Sequence, residues 1–568
     1  MQIEEALSKS KMWIDQLVGK ELQYITGRNT SVINNVDWDD EGKIFVSRGE
    51  GQITIRFERI AAVISKLING HPVHVDTILR SGSNDRSVIE TIIASFPPVG
   101  FMLPNKGRNK RKNKVLQWLN KEIHSLGNIV DISADEFAEL SLSISEIKNA
   151  QLLSKPFLLL AGISGTGKTR FVREQAKTSG QFTETYCLTS VRPDWHEPSD
   201  LLGYISRLNG AAEYITTDVL QFIAKAWRAI ADSGLTVEVQ ESEDQGERLV
   251  VAGERDELDK VLPYWLCLDE MNLAPVEQYF ADYLSVLETR EWCWTGDSFT
   301  YSCDALLKPA TINEVADKEK LREALGFEGS QYDELWADIC QYGLGIPFNL
   351  LVAGTVNMDE TTHGFSRKVI DRALSFDFGA FFPNDYNDFF TPTSCNKRLS
   401  YPIWSHARQA DLASTFDADG AKTVAFLSAV NAVLKNTPFE LAFRALNELL
   451  LAVASSQPKD ELTLKAVWDD FMMCKVLPRI EGDTDKLTTS NRKDLLEELS
   501  VVLSNQLAPI WQAEQVDKNQ RPDLYREKIV ADGVPDEEKI LFIPCRSKAK
   551  LKWMSDRLAS ATFTSFWP

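Results

Sequence analysis

The stretch Gly162-Ile-Ser-Gly-Thr-Gly-Lys-Thr169 decides the fold, because its spacing is that of a phosphate-binding loop. It follows the apolar run 157–161 and precedes the helical pattern 170–177, which gives the strand–loop–helix order that such a loop requires. Glycines let backbone N–H groups close around phosphate oxygens at the helix N-terminus. We expect Lys168 to reach the β- and γ-phosphates and Thr169 to hold Mg²⁺ through its hydroxyl. The predicted phosphate-binding residues are Gly162, Ser164, Gly165, Thr166, Gly167, Lys168 and Thr169.

A second apolar run, 263–268, ends in the carboxylate pair Asp269-Glu270. A phosphate-binding loop needs a carboxylate to complete the Mg²⁺ shell and a base to position the attacking water, and this pair supplies both. We expect Asp269 to lie near Mg²⁺ and Glu270 to orient or deprotonate the water. Because each signal follows its own apolar strand, a chance match of both is much rarer than a chance match of either.

A third predicted strand, 349–354, leads to Asn357, and a short predicted helix over 367–373 carries two arginines. An asparagine at the tip of a neighbouring strand can hydrogen-bond the attacking water or the γ-phosphate; a polar turn residue is the alternative. An arginine on the rim of such a core can reach a neighbouring subunit's site and neutralise transition-state charge, which contributes about 10³–10⁵ in rate where it has been measured. A surface ion pair is the alternative for either arginine.

Length and composition limit the class of protein. A chain of 568 residues is too long for one core, so we expect three or four domains, and 43% hydrophobic with 25% charged residues is typical of soluble globular proteins. The chain shows no apolar stretch of membrane-spanning length and no signal-peptide pattern, so we expect a cytoplasmic protein without membrane contact. The net charge of −20 argues against a protein that coats nucleic acid, so any DNA contact must be local.

The N-terminal region predicts a helix over 3–19 and two strands, followed from residue 58 by three helices and a hairpin. Three helices before a hairpin with a basic tip are typical of a winged helix, in which one helix can enter a groove and the wing contacts phosphate. A solvated loop is the alternative for the charged run. The predicted DNA-contacting residues are Lys106, Arg108, Lys110, Arg111 and Lys112.

The remaining patterns set the domain boundaries. We expect the acidic segment Glu238 to Asp259 to be a solvated insertion, and the chain beyond Phe378 to be an all-α C-terminal domain. The predicted fold class is an α/β core, a parallel sheet flanked by helices, with an all-α lid and an α+β, winged-helix-like N-terminal region. The predicted domains are a small α/β element (1–56), a winged-helix-like DNA-binding domain (57–120), a helical connector (121–144), the nucleotide-binding core (145–380) and the helical lid (381–568).

Taken together, these residues resemble the AAA+ superfamily, and within it the McrB-like motor subunits of modification-dependent restriction systems. The resemblance covers roughly residues 150–568. It rests on Val191-Arg-Pro-Asp-Trp-His-Glu-Pro-Ser-Asp-Leu-Leu-Gly-Tyr204, Leu268-Asp-Glu-Met-Asn-Leu-Ala274, Gly354 to Ala373, Ala442 to Glu448, Lys475 to Arg479 and Phe563 to Trp567.

The resemblance implies a homo-oligomer, a hexameric ring with nucleotide at the subunit interfaces. It assigns Asn357 as the sensor, Arg372 as the arginine finger and Arg444 as a nucleotide-contacting sensor of the lid domain. Tyr204 to Thr216 matches the family's hairpin after the second strand, which faces a central pore or a partner. The sensor stretch Val356-Asn-Met-Asp-Glu360 departs from the signature of the GTP-specific members, so both GTP and ATP stay open.

We therefore expect an NTPase with Mg²⁺ as cofactor, acting as the DNA-recognising motor of a McrBC-type restriction or antiviral defence system. Pro535-Asp-Glu-Glu-Lys539 lacks the separation of a nuclease centre, so DNA cleavage would belong to a McrC-like nuclease partner. The DNA bound by such a system can be modified. Two alternatives remain: a MoxR-like protein-remodelling chaperone, and a DNA-binding regulator that uses nucleotide as a switch.

Overall fold

The computed structural model divides the chain into two compact units, Met1–Glu146 and Ile147–Pro568. Each unit has its own hydrophobic core. The structure describes residues 3–25, 30–39, 42–48, 51–67, 75–79, 85–102, 115–118, 124–130, 150–179, 181–242, 246–358, 364–512, 520–530 and 535–567.

The first unit combines an antiparallel sheet with helices around one core, to which the predicted segments 1–56 and 57–120 both contribute. The predicted opening helix and the order of three helices and a hairpin are confirmed. Its strands are β1 (Glu21–Gln23), β2 (Thr30–Asp37), β3 (Lys43–Arg48), β4 (Gly51–Arg56), β5 (Val99–Met102) and β6 (Val115–Trp118). Its helices are Ile3–Leu17, Phe57–Leu67, Val75–Ile78 and Arg86–Ala94.

The strands of the second unit position the site. They are β7 (Gln151–Leu152), β8 (Phe157–Gly162), β9 (Tyr186–Ser190), β10 (Gly203–Ser206), β11 (Glu213–Thr216), β12 (Thr236–Ser242), β13 (Gly246–Glu254), β14 (Tyr264–Asp269), β15 (Glu291–Thr295), β16 (Ser298–Ser302), β17 (Leu350–Asn357), β18 (Leu374–Asp377), β19 (Ser394–Asn396), β20 (Leu399–Ser400), β21 (Glu481–Asp483), β22 (Arg521–Lys528), β23 (Ile540–Ile543) and β24 (Phe563–Ser565).

A five-stranded parallel sheet forms the centre of this unit, in the order β18-β8-β17-β14-β9. Every residue of β8 and β17 is buried, which explains their continuous apolar sequences, because strands covered on both faces cannot alternate with polar residues. The predicted α/β core with a parallel sheet is confirmed. Since β17 lies between β8 and β14, residues at the carboxyl ends of these three strands are neighbours.

Helices accompany the sheet and make up most of the C-terminal region of the second unit. They are Lys168–Lys177, Phe182–Thr185, Pro198–Leu202, Asp218–Asp232, Arg255–Leu258, Val276–Tyr279, Ala281–Leu287, Pro309–Glu314, Lys318–Ala324, Asp333–Tyr342, Arg367–Arg372, Phe378–Phe381, Gln409–Leu412, Ala421–Leu434, Phe443–Ser456, Glu461–Phe471, Leu495–Gln506 and Arg546–Ala561. Within the described ranges, no helix combines the length and apolar character needed to cross a bilayer.

Two predictions about this unit are wrong. The acidic segment is not a simple solvated insertion, because β12 and β13 join β15 and β16 in an antiparallel sheet whose inner face buries Val251. In β12 the polar Glu238 and Gln240 alternate with Val237 and Val239, and the high charge of the segment obscured that period-two pattern. The C-terminal region is not all-α, because β19, β22 and β23 form a sheet and β21 pairs with β24. Arg521 and Asp523 of β22 are buried as ion pairs, so this strand lacks an apolar signature.

Candidate functional site

The glycine loop joins β8 to the helix Lys168–Lys177. Gly165 and Gly167 have φ angles of 80° and 92°, in the left-handed region that glycine adopts without steric cost. The Lys168 ammonium lies inside the loop, where its Nζ donates to the carbonyl oxygens of Gly162 at 3.0 Å and Ile163 at 2.7 Å. The side chain of Lys168 is therefore held at the concave face of the loop, and nine-tenths of its surface is buried.

The hydroxyl of Thr169 reaches the second predicted motif. Its Oγ1 donates to Asp269 Oδ1 at 2.6 Å, and the same carboxylate oxygen accepts from Thr355 Oγ1 at 2.7 Å. Asp269 thus connects β14 to the glycine loop and to β17. Sequence reasoning missed Thr355, although its position two residues before Asn357 places both side chains on the same face of a strand, which is the signal that could have identified it.

Glu270 adopts an unusual backbone conformation at the end of β14, with φ 54° and ψ 49°. A non-glycine residue in the left-handed region costs about 1–3 kcal/mol, and such residues cluster at functional sites. Its backbone N–H donates to Thr355 Oγ1 at 2.9 Å, and its Oε1 accepts from Asn357 Nδ2 at 3.1 Å. A further hydrogen bond, from Asn272 Nδ2 to the carbonyl oxygen of Asn357 at 3.2 Å, fixes the strand end. The Glu270 carboxylate is therefore oriented by Asn357 and its backbone by Thr355, both of which belong to β17.

The structure thus brings together five of the predicted site residues at the carboxyl edge of the parallel sheet. This edge is where ligands bind in open α/β sheets. The hydroxyl and carboxylate oxygens of Thr169 and Asp269 are the hard donors that Mg²⁺ prefers, and their direct contact leaves them placed to share one ion. We call Lys168, Thr169, Asp269, Glu270 and Asn357 the carboxyl-edge cluster.

Arg372 and Arg444, the two arginines predicted to contact nucleotide, lie away from this cluster and close to each other. Arg444 Nη2 is 2.6 Å from Glu288 Oε1, and Arg372 Nη2 contacts Glu288 Oε2. Arg372 also donates to the carbonyl oxygen of Lys368 at 3.1 Å. We call Arg372 and Arg444 the arginine pair. They line a cavity of about 410 Å³ together with Lys155, which precedes β8.

The position of that cavity separates the arginine pair from the carboxyl-edge cluster. The cavity lies at the amino end of β8, whereas the glycine loop follows its carboxyl end. A six-residue strand spans about 20 Å. Neither arginine therefore contacts the glycine loop of its own chain in this structure.

A buried charge cluster adjoins the arginine pair. Lys155 pairs with Glu448, and Lys475 Nζ lies 2.9 Å from Glu448 Oε2. Burial and the nearby Lys475 lower the pKa of Lys155 to about 7. Burial tends to raise the pKa of Glu448, but the two ammonium groups outweigh it and hold that pKa below its usual range. Both lysines donate to the carbonyl oxygen of Asp371, next to Arg372, so the cluster ties the helix Phe443–Ser456 to the helix Arg367–Arg372.

The structure describes the predicted hairpin at residues 204–216 but not the predicted DNA-contacting residues. The hairpin after the second strand is confirmed, since β10 and β11 pair from Gly203 with Thr216 to Ser206 with Glu213. Its tip exposes Leu208 to 93%. The five basic residues predicted to contact DNA fall in residues 103–114, outside the described part of the chain, although the strands β5 and β6 that flank them pair as expected.

Sequence comparison finds two partial similarities. Residues 404–563 match a family described as a domain of unknown function (DUF8727). A Type II restriction enzyme, NmeDI, of Neisseria meningitidis serogroup C is 28% identical to this chain over 120 residues. That alignment covers 20% of this chain and 34% of the enzyme, so the chain spans about a third of its relative's length. The DUF8727 match includes Arg444 but none of the residues of the carboxyl-edge cluster.

Proposed function

We propose that this protein is a Mg²⁺-dependent nucleoside-triphosphate hydrolase of the AAA+ type, acting on GTP or ATP. The observation that carries the proposal is the convergence of five residues at one sheet edge. They come from one helix start and two strand ends, and they are Lys168, Thr169, Asp269, Glu270 and Asn357. A glycine loop with an internal lysine, a hydroxyl–carboxylate pair and a second, oriented carboxylate is the set that phosphoryl transfer to water requires.

In the proposed reaction a water oxygen attacks the γ-phosphorus while the bond to the β–γ bridging oxygen breaks. Glu270 orients that water and accepts its proton, and Asn357, which already donates to Glu270, holds the carboxylate in place. Lys168 moves its ammonium from the loop carbonyls to the β- and γ-phosphates. Thr169 and Asp269 would hold Mg²⁺, which would neutralise negative charge on the phosphates.

The arginine pair completes the site from a neighbouring copy. Because it lies at the opposite edge of the sheet from its own glycine loop, the pair is placed to serve the nucleotide of an adjoining subunit. This changes the expectation for Arg444: we propose that it acts on the neighbour's nucleotide together with Arg372. A ring of identical subunits satisfies this requirement at every interface.

We further propose that the hydrolase is the motor of a restriction or defence system with DNA as its target and a separate nuclease as its partner. The partial similarity to a Type II restriction enzyme supports this role. A protein-remodelling chaperone is the second candidate, favoured by the exposed apolar residues Tyr204, Leu208 and Ile215 of the hairpin. Stimulation of hydrolysis by duplex DNA supports the first role, and stimulation by an unfolded protein supports the second.

The test of the hydrolase is Glu270→Gln. Glutamine keeps the size and one acceptor oxygen but cannot take a proton, so we expect nucleotide binding to persist while turnover falls by at least about 10²-fold. The matched control is Glu277→Gln, an exposed residue of the helix Val276–Tyr279, which should retain wild-type turnover. Phosphate release with both ATP and GTP measures turnover, and full hydrolysis by Glu270→Gln would overturn the assignment.

A further inference from the structure

The strand order indicates in which direction a bound nucleotide extends from the glycine loop. Glu270 and Asn357 follow β14 and β17, which lie on one side of β8, so the γ-phosphate belongs on that side. The ribose and base must then extend toward the other side of β8, which is occupied by β18. The residues that follow β18 are therefore the ones placed to meet the base.

The chain after β18 contacts the glycine loop directly. Asn384 Nδ2 donates to the carbonyl oxygen of Thr166 at 3.1 Å. Gly162 lies against Phe378, whose Cβ is 3.4 Å from the position a Cβ on the glycine would take. The far end of the segment is held by a hydrogen bond from the backbone N–H of Ile529 to the carbonyl oxygen of Thr393, at 2.9 Å. Residues 384–393 are thus anchored at both ends, and one anchor is the glycine loop.

Three aromatic side chains project from this anchored segment into solvent. Tyr386 and Phe390 are each 92% exposed and Phe389 is 75% exposed. The rings of Phe389 and Phe390 meet edge to face, with centroids 5.0 Å apart. Tyr386 is only two residues from Asn384, a chain distance of at most about 7 Å. Exposed aromatic residues in such density mark a binding surface, because leaving them in water forgoes their burial.

We infer that Tyr386, Phe389 and Phe390, the aromatic patch, stack against the purine base of the nucleotide whose phosphates occupy the glycine loop. This inference rests on the proposed hydrolase function. Stacking on aromatic rings is tolerant of base identity because every base presents a π-face. The patch therefore binds adenine and guanine alike and does not by itself select between ATP and GTP.

The test measures the affinity of the full chain for Mg²⁺ with ADP, GDP or inorganic pyrophosphate by calorimetry. The double variant Phe389→Ala/Phe390→Ala should lose about 5- to 100-fold in affinity for both ADP and GDP. Its affinity for pyrophosphate, which has no base, should stay within about twofold of the wild type. Retained pyrophosphate binding also shows that the glycine loop remains folded.

Two further variants sharpen the test. Phe389→Tyr/Phe390→Tyr keeps both rings and should bind ADP as the wild type does. Val501→Ala shortens an exposed apolar side chain on the helix Leu495–Gln506 and should leave ADP affinity unchanged. An unchanged affinity of the double alanine variant for ADP overturns the inference while leaving the hydrolase proposal intact. Loss of self-association without loss of ADP affinity also overturns it, and assigns the patch to a second copy of the chain. A wild-type chain that binds neither ADP nor pyrophosphate refutes the proposed function itself.

Discussion

Replacing Glu448 with glutamine removes the carboxylate that two buried ammonium groups share. Lys155 and Lys475 both donate to the carbonyl oxygen of Asp371, at 2.6 and 2.7 Å, so their nitrogens lie less than about 5.5 Å apart. At that separation and an effective dielectric constant near 20, two positive charges repel by about 3 kcal/mol. Glu448 offsets this repulsion because it contacts both.

The expected loss follows from that geometry. Without the carboxylate, the ammonium groups keep their desolvation cost and their mutual repulsion but lose their attraction to Glu448. Removing one partner of a buried ion pair costs about 3–5 kcal/mol, and we expect Glu448→Gln to reduce the free energy of unfolding by that amount near pH 6. With an m-value of about 3 kcal/mol/M, the urea midpoint should fall by about 1 to 1.7 M.

The pH dependence gives a second readout with a defined sign. The pKa of Lys155 is lowered to about 7 in the folded protein from 10.5, so its charge opposes folding fully below pH 7 and progressively less as pH rises toward 10.5. Glu448→Gln lowers that pKa further. The destabilisation caused by the variant should therefore be larger at pH 6 than at pH 9, where Lys155 is neutral in both folded proteins.

Urea titrations followed by tryptophan fluorescence at pH 6 and pH 9 measure both effects. The control is Glu461→Gln, which removes the exposed partner of a helical pair with Lys465 at 2.8 Å and should cost about 0.3–0.5 kcal/mol. A loss below about 1 kcal/mol for Glu448→Gln at pH 6, or an equal loss at both pH values, would refute the reasoning that Glu448 holds two charged lysines.

Two further predictions concern ion pairs. Glu288→Gln weakens the partly exposed contacts that hold Arg372 and Arg444, so both arginines become easier to offer to a neighbouring copy. Half-maximal hydrolysis should then occur at a protein concentration about two- to fivefold lower than in the wild type. Reduced activity at every concentration would contradict this prediction. Burial opposes ionisation of Asp469, and Arg521 supplies the counter-charge that offsets this effect. Arg521→Met removes that counter-charge and should lower the free energy of unfolding by about 3–5 kcal/mol at pH 7. Since Arg521 holds the pKa of Asp469 below its usual 3.8, that contribution is lost in acid, so the penalty measured by urea titration should shrink as pH falls below about 4.

The carboxyl-edge cluster could be predicted from sequence because each member follows a recognisable buried strand. Continuous apolar runs ending in a glycine loop, in Asp269-Glu270 and in Asn357 identify strand ends, and parallel strands bring their ends to one edge. The order of the strands was not needed to name the residues. It was needed to show that Asn357 lies between the loop and Glu270, and hydrogen bonds were needed to identify Thr355.

The second sheet and the C-terminal strands could not be predicted for a different reason. In β12 the exposed Glu238 and Gln240 alternate with the partly buried Val237 and Val239, and the high charge of the whole segment concealed that alternation. In β22, buried Arg521 and Asp523 replace the apolar residues that mark a strand. Their burial depends on partners such as Arg546 and Asp470, which lie elsewhere in the sequence and which no local pattern connects to them.

The arginine pair shows most clearly what sequence position leaves open. Family resemblance assigns Arg444 to nucleotide, but only the contact with Glu288 places it beside Arg372, at the edge of the sheet that the glycine loop does not occupy. A strand about 20 Å long separates the two places, which is more than an arginine side chain spans. We therefore propose that a second copy supplies these arginines to the proposed hydrolysis, and we expect the protein to lose that assistance when it is diluted to a monomer.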